Sequence, residues 1–214
     1  IAFDGDFDRC FLFDEQGDFI DGSYIVGMLA QAFLNKYPSE SIVYDPRVIY
    51  NTEAVIAEHN GKAVISKSGH SFIKQVMRDS GAVYGGEMSA HHYFRDFFYC
   101  DSGMIPWLLT IELLSITGKT LSELVSGYIK AYPSSGELNF HLTTHDASTI
   151  ISAIEEKFSV QNPIKSTLDG LSLNFGEWRF NLRASNTEPL IRLNIESRGD
   201  AELLTIKTQE IQQW

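Results

Sequence analysis

The chain has 214 residues, enough for more than one domain, and 43% of them are hydrophobic, which excludes a disordered chain. Acidic residues outnumber basic ones 28 to 17, a net charge of −11, and this excludes a general nucleic-acid binder because neutralising phosphates needs basic surface. The two cysteines, Cys10 and Cys100, cannot build a disulfide framework or a metal cage and read as reduced, cytoplasmic thiols.

Residues 1–21 read as strand, loop and hairpin, with EQGD (15–18) as the turn. From Gly22 the period becomes helical through Ile25, Val26, Met28, Leu29, Ala32 and Phe33, and Pro38 ends the element. SIVYD (41–45) is a β-branched strand, a helix is expected over about 51–59, and KAVIS (62–66) is a second strand. Ser71 is expected to cap a helix that Gly81 closes, and AVYGG (82–86) is a third strand. Helices follow over about 103–117 and 120–132. The longest apolar stretch, MIPWLLTIELLSI (104–116), contains Glu112 and is too short for the roughly 18 residues of a membrane helix. This alternation implies an α/β domain of three layers, a parallel sheet with helices on both faces.

PSSG (133–136) reads as a linker. Beyond it come a helix over 146–158, three alternating segments that predict an antiparallel meander, and a last helix from about Ala201. This is a smaller α+β domain with an antiparallel sheet.

Four stretches carry polar groups at spacings that suggest chemistry. In FDGDFDRC, Asp4, Asp6 and Asp8 alternate ahead of Arg9, and three carboxylates this close need a cation. Oxygen donors alone suit Mg²⁺ or Ca²⁺. A calcium EF-hand loop matches at Asp4, Asp6, Asp8 and Glu15, but its sixth position should be glycine and is Arg9. An aspartate phosphatase would want threonine where Asp8 stands, and a solvated acidic turn is the bland reading.

In GGEMSAHHYF (85–94), at a predicted strand end, Glu87 and Ser89 can face one ligand and suit sugar hydroxyls. His91 and His92 should point opposite ways, so a zinc pair is not expected and one of them is as well explained by packing. In SKSGHSFIK (66–74), Lys67 and His70 bring positive charge to a helix start, against the plain alternative of a capped helix with a surface lysine. In NLRASNTEP (181–189), Arg183, Ser185, Asn186 and Thr187 offer a guanidinium fork, two hydroxyls and an amide, a phosphate cradle rather than a mere polar turn.

Together these stretches resemble the α-D-phosphohexomutases, and among them the bacterial phosphomannomutases. DGDFDRC resembles the family's metal loop, GEMSAHH its sugar-specificity loop, RASNTEP its phosphate loop, and SGHSFIK a segment that supplies an active-site histidine. Arg47 in DPR (45–47) stands where family members carry a basic residue near the sugar.

The resemblance implies the end of a second domain (1–21), a sugar-binding third domain (22–132) and a phosphate-binding fourth domain (133–214). The chain opens on Ile1, two residues before the metal loop, and no stretch matches the segment that carries the family's catalytic phosphoserine. The N-terminal domains of a larger protein are therefore expected to be missing, and this chain alone is expected not to turn over.

For the whole enzyme the resemblance implies interconversion of mannose 6-phosphate and mannose 1-phosphate through a hexose 1,6-bisphosphate. Mg²⁺ on Asp4, Asp6 and Asp8 would draw charge from the phosphoserine, which Arg9 steadies. Glu87 and Ser89 would read O3 and O4 of the sugar. Arg183, Ser185, Asn186 and Thr187 would hold the unreacting phosphate. His70 and either His91 or His92 are candidates for proton handling or phosphate contact. A phosphoglucomutase or phosphoglucosamine mutase is the enzyme alternative, and a metal- or sugar-binding module the non-enzyme one.

Overall fold

The computed structural model describes residues 1–142, 146–185 and 188–213. It divides into two compact units, residues 1–45 with 51–129, and residues 46–50 with 130–214. No helix among the described residues is long and apolar enough to cross a membrane.

The first unit opens with a small antiparallel sheet of β1 (Ala2–Phe3), β2 (Cys10–Phe13) and β3 (Phe19–Ile20). Asp21 then caps α1 (Gly22–Lys36), accepting the Ser23 N–H at 2.9 Å. There follow β4 (Ser41–Tyr44), α2 (Tyr50–Glu58), β5 (Lys62–Ile65), α3 (His70–Ser80), β6 (Tyr84–Gly86), β7 (His92–Phe94), β8 (Cys100–Asp101), α4 (Met104–Thr117) and α5 (Leu121–Ala131). Ser71 does not cap α3: it lies inside the helix, and Gly69 takes the cap position without a side-chain bond.

The main sheet runs β5-β4-β6-β7-β8. Strand β4 pairs in parallel with β5 and β6, as the alternation of elements predicts, but β7 and β8 add antiparallel. The reason is the length of the connection. Only residues 87–91 join β6 to β7, and a parallel crossover needs a dozen or more. The sheet is therefore mixed.

Its middle strand shows why two glycines follow Tyr84. A Cβ added at Gly85 would lie 2.6 Å from Met77 Sδ of α3, and one at Gly86 would lie 2.7 Å from Val26 of α1. Neighbouring residues of a strand point to opposite faces, so helices pack on both faces of β6 as expected, each where a side chain is missing. Val43, Ile73, Met77, Ala82 and Tyr93 form the core on the α3 side.

In the second unit the expected linker is not one: Ser134 opens β9 (Ser134–His141). GELNFHL alternates polar and apolar residues, a strand pattern that the turn-rich PSSG obscured. After β9 come α6 (Ala147–Ser159), β10 (Ile164–Ser166), β11 (Leu171–Asn174), β12 (Trp178–Ala184), β13 (Leu190–Ser197) and α7 (Ala201–Gln212). The expected meander is present as an all-antiparallel sheet of order β10-β11-β12-β13-β9. Phe180, Leu182, Leu193 and Ile195 pack with Ile154 and Phe158 of α6 and Ile211 of α7 on one face. The alternate residues of β12 and β13 turn to the other face and are polar.

Candidate functional site

In the first unit, three of the stretches singled out above meet. The metal-loop candidate leaves β1 and turns at once, with Phe7 at a φ of 65°. The turn, rather than strand alternation, gathers the aspartates: oxygens of Asp4, Asp6 and Asp8 lie within 4.8 Å of one another.

Arg9 holds one end of the set. Its Nε–H donates to Asp4 Oδ2 at 2.6 Å and its backbone N–H to Asp4 Oδ1 at 3.2 Å. Burial pushes the Asp4 carboxyl up, but these bonds and the Arg9 charge outweigh it and hold it at about 2. Asp8 is pushed the other way, by burial first and by the Asp4 and Asp6 carboxylates, with His91 opposing. Its Oδ1 is buried and has no hydrogen-bond partner among the described residues. One guanidinium against three carboxylates leaves two negative charges uncompensated. Oxygen donors with that deficit and one orphaned oxygen fit a hard divalent cation such as Mg²⁺.

The stretch read as a sugar loop is the hairpin between β6 and β7. Glu87 N–H donates to His91 O at 2.9 Å, and Ala90 takes a φ of 69°. Two backbone contacts join it to the aspartate loop: an antiparallel bridge between Arg9 and His91, and the Cys10 N–H donating to Ala90 O at 3.2 Å. His91 Nε2 consequently stands 3.5 Å from Asp8 Oδ2, with Nδ1 3.1 Å from Ser89 Oγ.

Glu87 is only 3% exposed. Its carboxylate accepts the Gly69 N–H at 2.8 Å and the Tyr93 hydroxyl at 2.6 Å. Burial and Glu87 raise the Tyr93 hydroxyl well above its ordinary range, so it stays a donor. Glu87 thus braces the hairpin against the SGHS turn, a role that Tyr93 and Gly69 share and that loop spacing did not reveal. Met88 N–H donates to Asp45 Oδ2 at 2.7 Å, which fixes the hairpin tip to the end of β4.

His92 does not belong with these groups. It is fully buried, its ring stacks on Tyr84, and its Nδ1 lies 2.7 Å from the Tyr84 hydroxyl. Burial lowers it to about 3, so it is a neutral core residue and cannot reach a substrate. His91 and His92 do point opposite ways, and the packing role falls to His92.

The shift has a consequence for stability. A histidine in the unfolded chain takes a proton near pH 6.5 that the fold refuses until about 3, so stability is whole above pH 6.5 and falls as the pH drops below it. Between pH 7 and pH 5 the loss from this group should be about 2 kcal/mol. Urea unfolding at both pH values checks it, and His92→Gln should remove that part of the slope. Equal slopes in the two proteins would refute the assignment.

His70 is exposed at the start of α3, and Lys67 is exposed with its ammonium 5.2 Å from the centre of the Phe72 ring. Cys10 is buried and pushed up to about 11 by that burial, so it holds no thiolate at neutral pH.

The second unit holds Arg47 and the residues of the expected phosphate cradle. Arg47 is nearly buried, with Nη1 3.7 Å from Glu137 Oε2. Arg183 Nη2–H donates to Glu137 Oε2 at 2.9 Å, and Arg192 Nη1–H donates to Glu137 Oε1 at 3.2 Å. Glu137 and Arg192 were not expected from sequence. Ser185 follows at the end of β12, where its N–H donates to Leu190 O at 2.9 Å and its Oγ accepts from Glu188 N–H at 3.3 Å. Asn186 and Thr187, the rest of the expected cradle, lie outside the described residues.

The family profile described as phosphoglucomutase/phosphomannomutase, alpha/beta/alpha domain III, matches residues 21–132, and that of the C-terminal domain of the same family matches residues 137–213. The aspartate loop precedes both matches. A phosphomannomutase of Salmonella montevideo is 57% identical over 213 residues, and one of Escherichia coli K12 is 56% identical over 211. These cover 100% and 99% of this chain but 46% of each relative. The chain therefore spans about half the length of the curated relatives it matches. A solved phosphoglucomutase/phosphomannomutase family protein of Burkholderia thailandensis superposes with a TM-score of 0.83 at 27% identity, over 99% of this chain and 45% of its own. Two consecutive domain matches that leave few residues uncovered, with relatives alike from end to end of the chain, place it in the phosphoglucomutase/phosphomannomutase family.

Proposed function

We propose that this chain is the metal-, sugar- and phosphate-binding part of a phosphomannomutase that interconverts mannose 6-phosphate and mannose 1-phosphate through a hexose 1,6-bisphosphate. The observation that carries the reading is the convergence of Asp4, Asp6, Asp8 and Arg9 with the Glu87–His91 hairpin, a charge deficit of two beside a hydroxyl-reading loop. Residues 1–21 act as the end of one domain, residues 22–132 as the sugar-binding domain and residues 133–214 as the phosphate-binding domain. The phosphoryl donor, a phosphoserine, comes from another part of the whole protein, which we place in the cytoplasm.

Asp4, Asp6 and Asp8 hold Mg²⁺, which when bound supplies a Lewis acid that draws charge from the transferring phosphoryl oxygens. Arg9, tied to Asp4, sets the loop and offers its remaining N–H groups to the same phosphoryl group. Ser89 and Glu87 receive sugar hydroxyls. His91, between Ser89 and Asp8, is placed to hold or pass a proton there, whereas His92 is not. Arg183 and Arg47, with Ser185, hold a phosphate that is not reacting; Asn186 and Thr187 are proposed with them on the resemblance alone. Lys67 and His70 remain candidates for phosphate contact because both are exposed.

Arg183→Ala in the full-length protein should weaken mannose 1-phosphate binding about a hundredfold, the loss of a bidentate, charge-assisted contact. Calorimetric titration measures it, and unchanged affinity would count against the cradle. Rates on mannose, glucose and glucosamine phosphates decide between this activity and those of a phosphoglucomutase or phosphoglucosamine mutase.

A further inference from the structure

The main sheet of the first unit brings a second set of metal-ligating groups together beside the aspartate loop. Strand β8 pairs antiparallel with β7, which sets Asp101 directly opposite Tyr93. Opposed residues of a pair share a face, and His91 lies two residues before Tyr93 on that same face. The His91 and Tyr93 rings stack with 6.3 Å between their centres. The Arg9–His91 bridge brings Asp8 to the same place. One ligand atom each of Asp8, His91 and Asp101 consequently lies within 4.8 Å of the other two. Asp101 has no part in the Mg²⁺, sugar or phosphate contacts proposed above.

The chemistry of this set differs from that of the aspartate loop. Asp4, Asp6 and Asp8 offer oxygen alone, whereas His91 adds a nitrogen. His91 Nε2 is 3.5 Å from Asp8 Oδ2, too long for a good hydrogen bond. The distance is close to the ~3.4 Å between two ligands of a tetrahedral ion with bonds of ~2.1 Å. The other ring nitrogen, Nδ1, is 3.1 Å from Ser89 Oγ. A metal-bound histidine characteristically gives its second N–H to such an acceptor, which fixes the ring and leaves the first nitrogen's lone pair for the ion. Nitrogen beside carboxylate oxygen suits zinc, while magnesium prefers oxygen alone. Lys74 Nζ stands 2.7 Å from Asp101 Oδ1, so one positive charge already competes for that carboxylate.

We propose that Asp8, His91 and Asp101 form a second cation site that takes Zn²⁺, and that it shares Asp8 with the Mg²⁺ site, so that the two ions compete. Zn²⁺ held there takes Asp8 from Mg²⁺ and occupies the His91 nitrogen, which makes the site inhibitory. The competition rests on the Mg²⁺ reading of the aspartate loop; the zinc site itself does not.

The test is calorimetric titration of the untagged full-length protein with Zn²⁺, with and without Mg²⁺. His91→Gln and Asp101→Asn should each bind Zn²⁺ at least about tenfold more weakly. Both should keep the parent's Mg²⁺ affinity, since neither residue supplies a Mg²⁺ ligand. Asp6→Asn should do the reverse, losing Mg²⁺ and keeping Zn²⁺. Lys74→Met should bind Zn²⁺ several times more tightly, because the competing charge is gone. Unchanged Zn²⁺ affinity in either His91→Gln or Asp101→Asn overturns the site. Should Asp101→Asn not fold, Lys74→Met decides: unchanged or weaker Zn²⁺ affinity overturns Asp101 as a ligand. If Asp6→Asn loses Zn²⁺ while His91→Gln and Asp101→Asn do not, the ion sits in the aspartate loop, and this inference fails while the Mg²⁺ reading stands. If Asp6→Asn keeps its Mg²⁺ affinity, the Mg²⁺ reading fails and the competition with it. Zn²⁺ affinity indifferent to Mg²⁺ overturns the sharing of Asp8. Co²⁺ in place of Zn²⁺ supplies a spectroscopic readout. A visible spectrum lost in His91→Gln supports ligation by the imidazole, and a thiolate charge-transfer band would put the ion on Cys100 and overturn the site.

Discussion

Asp8→Asn should weaken Mg²⁺ binding to the full-length protein about a hundredfold or more, since even partners one shell further out cost up to about that much. Turnover of mannose 1-phosphate should fall with it. Asp8 is the residue to change because its Oδ1 is the one oxygen of the set that is buried without a hydrogen-bond partner among the described residues. Asp4 already has Arg9 at 2.6 Å, so its loss would also release the loop and confuse the result. The amide is nearly the same size as the carboxylate, and the deficit of two negative charges becomes one. Metal titration by calorimetry is the first readout, because it does not depend on the rest of the reaction. Asp18→Asn, an exposed position on the neighbouring turn, serves as the control and should bind as the parent does. A variant at Asp8 that kept full Mg²⁺ affinity would sink the metal reading of the loop.

How far the sequence carries depends on how local the determinant is. Much of the order of strands and helices was legible because hydrophobic period and punctuation are local, and so was α1, from Gly22 to Pro38. The antiparallel arm of the main sheet was not. The strand HYF is three residues long and too short to show a period, and its direction follows from loop length rather than composition. Strand β9 was hidden by Pro133, Ser134, Ser135 and Gly136, turn-forming residues that an edge strand tolerates. The aspartate loop and the Glu87–His91 hairpin could be named from sequence, but their joining through the Arg9–His91 bridge could not. His92 shows the same limit. Only burial against Tyr84 separates it from His91, and nothing in the dipeptide says which ring turns inward. Arg192 and Glu137 had no motif around them. Their meaning lies in register, which sets Arg183 opposite Arg192 and Glu137 diagonal to it, and register is a property of the folded sheet.

Arg179→Met should cost about 3–5 kcal/mol of stability, the usual cost of breaking a buried ion pair from one side. Arg179 is 2% exposed and Glu196 is fully buried, with 2.7 Å between Nη1 and Oε1. Removing the guanidinium takes its donor from two carbonyls besides that carboxylate, and one of two donors from Ser172 Oγ, which keeps Asn181 at 3.0 Å. Arg179 donates to Arg47 O at 3.0 Å, to Pro46 O at 2.7 Å and to Ser172 Oγ at 3.3 Å. Glu196 in turn accepts the Ile49 N–H at 2.7 Å and the Tyr50 N–H at 2.9 Å. The pair therefore holds residues 46–50 against the sheet, and that segment carries Arg47. Two effects should follow together in Arg179→Met: a lower urea midpoint and a weaker affinity for phosphate, since Arg47 loses its backbone anchor. Adding Glu196→Gln removes the stranded charge and keeps an acceptor for one of the two N–H groups, so the double variant should regain part of the stability. It should not regain the phosphate affinity, because Pro46 O and Arg47 O still lack their donor. If instead affinity returned with stability, Arg47 would owe its place to something other than the Arg179 guanidinium.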